Sequence, residues 1–273
     1  MKRQSRVKRP GVETEATLVI CTESPEKVAE EIASFERIGD FLLLKTEPLN
    51  MRDVYLDQSG GKLQVERLAL RIRTIGDRTW VALKGPGRII QDGVIDRMEL
   101  EESWSPGAIE AIVKKLGRIG ISLPDSFYFS QEGKPVEVMA ALGFAQIQDR
   151  ETTRRVRNVV LRDNKEEVLA ELAVDLVHYH LQGRDVRHYE VEIEEKGVAG
   201  TSVLAVVSGK LFAKWGNALR KWNYSKLATG FALEALESQG ALEDLIGSND
   251  NLTPEAYDKL EEWLIKVGRP VLA

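Results

Sequence analysis

The sequence predicts an α+β fold: an antiparallel sheet that curls on itself or closes into a barrel, with helices set around it. Two observations carry this. Seven or eight short segments alternate apolar and polar residues with a period of two, joined by mostly short links. Between them lie segments with apolar residues at helical spacing, several opened by a Ser-Pro or Thr-Pro pair that reads as an N-cap followed by proline at the first helical position. Strands that alternate with helices over short links favour a sheet closed or curled against an outer helical layer.

In chain order, Val12 to Cys21 alternates Val12, Thr14, Ala16, Leu18 and Ile20 against Glu13, Glu15 and Thr17, a strand pattern. Ser24-Pro25-Glu26 opens a helix with Val28, Ile32 and Phe35 on one stripe. Strands follow at Val54 to Leu56 and Leu68 to Arg73, with a Gly60-Gly61 turn between them, and at Thr79 to Lys84, closed by Gly85-Pro86-Gly87. Val94 to Ser103 alternates again, and Ser105-Pro106 starts a helix to about Leu116. Pro135 to Leu142 is a short helix ended by Gly143. Three strands come next, Thr152 to Leu161, Val168 to His180 and Asp185 to Glu195, with a turn at Gly183-Arg184. Helices are expected over Thr201 to Trp215 and Lys226 to Leu236, then a loop over Gly240 to Leu252, then a helix from Thr253-Pro254 carrying Tyr257, Leu260, Leu264 and Val267.

Composition narrows the function classes. A chain of 273 residues can bury roughly three quarters of its unfolded surface, so a substantial core is available. A net charge of −5 argues against a general nucleic-acid binder, though not against a local basic cavity or an RNA 5′ end as substrate. The single cysteine, Cys21, excludes an internal disulfide and a cysteine-built zinc site, and fits a reducing, cytoplasmic setting. No run of eighteen apolar residues occurs, which excludes a membrane-spanning helix. Lys2, Arg3, Arg6, Lys8 and Arg9 mark residues 1–11 as a basic, flexible tail, with an anionic partner as a side reading.

The charged residues sit unusually along the strands. Glu13 and Glu15 share a face, as do Arg71 and Arg73; Arg97, Glu99 and Glu101; Arg155 and Arg157; and Glu190, Glu192 and Glu194. Residues i and i+2 lie about 6.6 Å apart on a strand. Like charges at that distance repel by about 2.5 kcal/mol at an effective dielectric near 20. Alternating charge on a solvent face, with cross-strand ion pairs, is the plain reading. The other is a polar lumen, with basic residues for an anion and acidic residues for metal ions.

Taken in order, these pieces resemble one family. Glu13-x-Glu15, Leu70-Arg71-Ile72-Arg73, Trp80 to Gly85, Arg97-x-Glu99-x-Glu101, Arg155 with Arg157, Asp175, Glu190-x-Glu192 and Ser225-Lys226 resemble the CYTH domain, the triphosphate tunnel metalloenzyme superfamily. Each motif is weak alone; the ordered set, spanning about 12–236, is specific. The resemblance implies an eight-stranded antiparallel closed barrel, a tunnel with helices outside, followed by a C-terminal helical extension over 237–273. It implies Mg²⁺ or Mn²⁺ as cofactor and a small-molecule triphosphate as substrate, with a homodimer as an open expectation. By position, Glu13, Glu15, Asp175, Glu190 and Glu192 face metal, and Arg71, Arg73, Lys84, Arg155, Arg157 and Lys226 bind the triphosphate. Lys226, beside the tunnel mouth, Lys84 and Arg155 are the implied catalytic contacts, and Arg97, Glu99 and Glu101 support the metal. The chemistry agrees: arginine forks match phosphate oxygens, and hard oxygen ligands suit Mg²⁺.

One departure stands out. The family's first motif reads E-x-E-x-K, and the fifth position here is Thr17. Metal-dependent hydrolysis of a triphosphate is the leading reading; an adenylate cyclase of the same site and a non-catalytic polyphosphate or nucleotide sensor are the alternatives. Among other features, His178 and His180 fall on the face opposite Asp175, which argues against a zinc role, and Trp215 and Trp222 read as helix packing rather than RNA stacking.

Overall fold

The computed structural model describes residues 11–91, 94–121, 123, 133–196 and 201–268; the basic tail lies, apart from Gly11, outside the described residues. Twelve strands form one antiparallel sheet: β1 (Val12–Ile20), β2 (Arg37–Ile38), β3 (Phe41–Lys45), β4 (Leu49–Gln58), β5 (Ala69–Ile75), β6 (Arg78–Lys84), β7 (Arg88–Gln91), β8 (Val94–Ser103), β9 (Phe144–Leu161), β10 (Val168–His180), β11 (Asp185–Glu195) and β12 (Leu219–Lys221). The order β10-β11-β1-β8-β6-β5-β4-β9 returns to β10 through the β9–β10 pairing, so eight strands close a barrel. Each of these eight overlaps one of the segments expected from alternation. The other four hang on the rim: β3 extends β9, β2 pairs β3, β7 pairs β8 and β12 pairs β1. They were missed because they are short, or, like Phe41–Lys45, a continuous apolar run without alternation.

Seven α-helices occur among the described residues: α1 (Pro25–Ser34), α2 (Lys62–Val65), α3 (Pro106–Arg118), α4 (Pro135–Ala141), α5 (Thr201–Trp215), α6 (Lys226–Ser238) and α7 (Pro254–Lys266). The one-turn α2 stands where only a turn was expected; Gly60 and Gly61, at φ +81° and +67°, supply the left-handed backbone that leads into it. None of these helices is long and apolar enough to cross a membrane.

The helices cover the outer faces. α1 and α5 pack Ile32, Leu204 and Leu211 over Leu18, Leu172 and Ile193. α3 and α4 pack Ile109, Ile112 and Met139 over Leu70, Ile72, Val81 and Leu83. This outer packing fixes register. Burying one Leu or Ile is worth about 1.5–3 kcal/mol. Slipping β5 by one residue would expel Leu70 and Ile72 and drive Arg71 and Arg73 into the α3 core. The inner face therefore receives the charges by default.

α6 differs from the other helices: it plugs one end of the barrel. Its Leu227 packs on Tyr55 and Ala69, and its Ala228, Ala232 and Leu233 share a core with Val19, Val177 and Tyr179, all at lumen-facing positions of the strands. α6 comes close to β9 at Gly230: a Cβ there would stand 2.1 Å from Nε2 of Gln148 and force that amide to move. α7 backs α6 through Tyr257, Leu260 and Leu264. The fully buried Trp222 donates from Nε1 to Thr229 Oγ1 at 3.0 Å in this layer, which is a packing role.

Candidate active site

The barrel encloses a cavity of about 360 Å³, whose lining includes eight basic and eight acidic side chains. Side-chain exposure varies widely among the charged groups that meet there. Glu101 is 36% exposed, Arg73 14%, Arg150 1% and Asp175 0%. α6 closes one end, where its Leu227 and Ala228 cover lumen-facing residues.

Three ionic clusters follow from the strand registers. Toward the open end of β1 and β8, Arg97 donates from Nε to Glu13 and from an Nη to Glu15, each at 2.7 Å. Lys84 Nζ reaches Glu13 at 2.8 Å and Glu99 at 3.0 Å. Burial raises Glu13, but Arg97 and Lys84 outweigh it and hold the carboxyl well below its usual range. Glu15 goes the other way: burial, reinforced by Glu13 and Glu192, pushes it to about 7 against Arg97. On the β4–β5 wall, Asp53 accepts a two-pronged bond from Arg73 at 2.7 and 2.8 Å and a third from Arg150 at 3.3 Å, while Arg71 bonds Glu101 at 2.8 Å. Arg150 also donates to Tyr55 Oη at 2.5 Å.

A third cluster gathers around the first turn of α6. Arg154 on β9 grips Asp175 with two bonds, at 2.8 and 2.6 Å, and also contacts Glu192. Lys226, in the first turn of α6 behind the N-cap Ser225, places Nζ among Asp175 at 3.1 Å, Glu192 at 2.6 Å and Glu190. Burial opposes ionisation of Asp175, but Arg154 and Lys226 bring it down to about 2. Burial draws Lys226 down to about 7, with Arg154 and Arg150 adding to the effect against Asp175.

Asp175, Glu190 and Glu192 each offer an oxygen within 4.8 Å of the others. Glu190 is 1% exposed and its Oε2 has no hydrogen-bond donor among the described residues. A buried carboxylate oxygen without a donor, in a set of three hard oxygen ligands, fits a divalent cation of the Mg²⁺ type. Lys226 Nζ now supplies positive charge at that spot.

The placement of the expected residues is clear. Glu13, Glu15, Arg71, Arg73, Lys84, Arg97, Glu99, Glu101, Asp175, Glu190, Glu192 and Lys226 converge on the tunnel. Arg155 and Arg157 do not. Arg155 pairs with Glu30 of α1 outside the barrel, and Arg157 donates to the carbonyls of Ala33 and Leu43. The physical reason is parity: Arg154 and Arg155 are adjacent, so they point to opposite faces, and the inward one is Arg154. Lys226 sits at the plugged end rather than beside the mouth. Arg150, Arg154, Asp53 and Tyr55 were not anticipated. The Arg154-Arg155 doublet was a usable signal, but Asp53 and Arg150 lie in stretches of β4 and β9 outside the segments read as strands. His178 and His180 contribute nothing to the acidic cluster, and His180 pairs with Asp185 on the surface.

The CYTH domain profile matches residues 26–207, two thirds of the chain. The chain belongs to the CYTH domain family. That match stops short of Glu13, Glu15 and Lys226, which join the tunnel through the tertiary structure. Among solved structures, the CYTH fold here is similar to HpAC1 from Hippeastrum, an assigned adenylyl cyclase with a dominant triphosphatase activity. The two are 18% identical, 81% of this chain and 95% of that one are covered, and the TM-score is 0.50. A Bacillus halodurans protein assigned as an adenylate cyclase gives 19% identity, 75% and 91% coverage and a TM-score of 0.42. A Pyrococcus horikoshii protein gives 17%, 83% and 99%, and 0.43. No curated protein sequence matches the chain.

Proposed function

We propose that this CYTH protein is a metal-dependent triphosphatase that hydrolyses the terminal phosphoanhydride bond of a triphosphate inside the tunnel, with Mg²⁺ or Mn²⁺. The carrying observation is the juxtaposition, beside the first turn of α6, of a guanidinium and ammonium cluster with three carboxylates within 4.8 Å of one another. A polyanion and a divalent cation are the pair of ligands that such a mixture neutralises together. The dominant triphosphatase activity of HpAC1, on the same fold, supports the reading.

In this reading Arg71, Arg73, Lys84, Arg150 and Arg154 bind and align the phosphates. Asp53 and Asp175 hold Arg73 and Arg154 in fixed orientation by two-pronged bonds. Asp175, Glu190 and Glu192 would hold the cation, which supplies Lewis-acid stabilisation of the charge on the phosphoryl oxygens. The water oxygen bonds to the terminal phosphorus as the bond to the bridging oxygen breaks, and diphosphate, or the diphosphate ester, departs. Lys226 Nζ, drawn to about 7 at the blind end, is suited to exchange a proton with that water near neutral pH. α6 keeps bulk water out, which strengthens every charge interaction in the site.

The test is a phosphate-release screen over tripolyphosphate, thiamine triphosphate and nucleoside triphosphates with Mg²⁺ and Mn²⁺. Metal-dependent release is expected. Cyclic AMP formed from ATP without phosphate release would make the protein a cyclase. Tight binding with neither product would make it a sensor.

A further inference from the structure

A buried histidine stands beside the acidic cluster without a bonding partner. His188 on β11 is 1% exposed, and neither ring nitrogen has a hydrogen-bond partner among the described residues. Alternation puts it on the lumen face, two residues before Glu190. Its register partner on β10 is the fully buried Val177. Tyr179 and Tyr257 flank the imidazole, at ring-centroid distances of 5.7 and 6.3 Å. Tyr179 gives its hydroxyl proton to the carbonyl of Lys226, at 2.8 Å. Tyr257 comes from α7, and the chain just ahead of α7 is tied to β11 beside the histidine: the Leu252 N–H donates to the Arg187 carbonyl at 3.0 Å.

Valine and two aromatic rings suit a leucine better than a histidine. A hydrocarbon side chain would fill that space with no polar atom to satisfy, whereas two unbonded ring nitrogens cost free energy in a buried layer. The remaining neighbour accounts for the imidazole. Nε2 stands 3.6 Å from Oε2 of Glu190, an oxygen that also lacks a donor. Glu190 is turned so that Oε1 contacts Lys226 Nζ while Oε2 faces the ring. The gap is too long for a hydrogen bond, and closing it by about 0.6 Å would make one. An orphaned donor and an orphaned acceptor then satisfy each other. Carboxylates that ligate a metal ion are themselves hydrogen-bonded by neighbours, and that bond fixes their orientation.

We infer that His188 is a positioning residue for the cation site: its Nε2–H donates to Oε2 of Glu190 and leaves Oε1 for the cation. This rests on the metal-dependent reading and adds to that site a residue that touches neither substrate nor cation. His188 acts through Glu190 alone, so its loss is felt in cation affinity before it is felt in the fold.

The experiment titrates Mn²⁺ alone into the full chain by calorimetry, for the wild type, His188→Leu and His188→Gln. His188→Leu removes both nitrogens and keeps an apolar filling; it is expected to weaken Mn²⁺ binding by about tenfold or more. His188→Gln keeps an N–H donor on a side chain of similar reach, and is expected to stay within about threefold of the wild-type affinity. A histidine that only packs would leave the affinity unchanged in both variants. Unchanged affinity in His188→Leu overturns the inference and leaves the triphosphatase reading standing. A loss in His188→Gln as large as that in His188→Leu does the same. If His188→Leu is misfolded by circular dichroism, His188→Met carries the same expectation and the same refutation. A wild type that binds no Mn²⁺ fails the metal-dependent reading itself and removes the role of His188 with it; that result is read on the unaltered chain, so the two failures are distinct.

Discussion

Asp175→Asn isolates the ionic anchor of the blind end. The wild-type carboxylate is fully buried, accepts two bonds from Arg154 and stands 3.1 Å from Lys226 Nζ. Its pKa falls from 3.8 in an unstructured chain to about 2 in the fold. A depression of that size corresponds to about 2 kcal/mol of stability at pH 7. The sign is fixed by the direction of the shift. The folded state prefers the ionised form, so the contribution is complete above about pH 5 and fades as pH falls through 3.8 toward about 2. In the variant Arg154 keeps Glu192, so the larger cost of an unpaired buried charge, about 3–5 kcal/mol, does not apply in full. Urea unfolding at pH 7 and at several values down to pH 2.5 is the assay, with thermal melting alongside. Expected is a loss of about 2 kcal/mol at pH 7, near 4–8 °C in Tm, shrinking below half at the acid end. A gap that is absent at pH 7, or that stays constant with pH, would refute the claim that Asp175 acts as a paired, ionised anchor.

Three further outcomes are expected. Arg154→Ala should lower kcat/KM for triphosphate hydrolysis by a factor of at least about 100, and Arg155→Ala by less than about 3; steady-state kinetics giving the reverse order would invalidate the assignment of β9 faces. Glu192→Gln should abolish most activity and weaken Mn²⁺ binding, read by titration calorimetry, while circular dichroism stays that of the wild type; full activity with unchanged metal dependence would remove Glu192 from the site. Thr17→Lys should raise turnover, because Thr17 faces the tunnel directly across from Glu192 and a lysine there adds a cation to the anion site. Equal or lower turnover in that folded variant would mean that Lys226, already against Glu192, does the work of the absent lysine.

The sequence by itself determined much of the architecture and the kind of charge inside it. Arg71 and Arg73 are interleaved with Leu70 and Ile72, and Glu190 and Glu192 with Val191 and Ile193. Such clean alternation leaves a half-buried strand one way to face, because the apolar side must meet the helices. Tertiary structure alone decided the rest. In β9 the Arg154-Arg155 doublet offers a cation to both faces, and the choice depends on the Arg154–Asp175 pairing with β10, a neighbour that alternation cannot identify. Asp53 stands next to Arg52 in the sequence, yet pairing of β4 with β5 and β9 buries it among three guanidiniums, Arg71 and Arg73 from the next strand of the barrel and Arg150 from distant β9. Lys226 reads as a helix start. Its place at the blind end follows from α6 entering the barrel over Tyr55, Ala69 and Gln148. Periodicity reports the direction of a side chain relative to its own strand. Which charges meet depends on closure and register, which are set by contacts between distant segments.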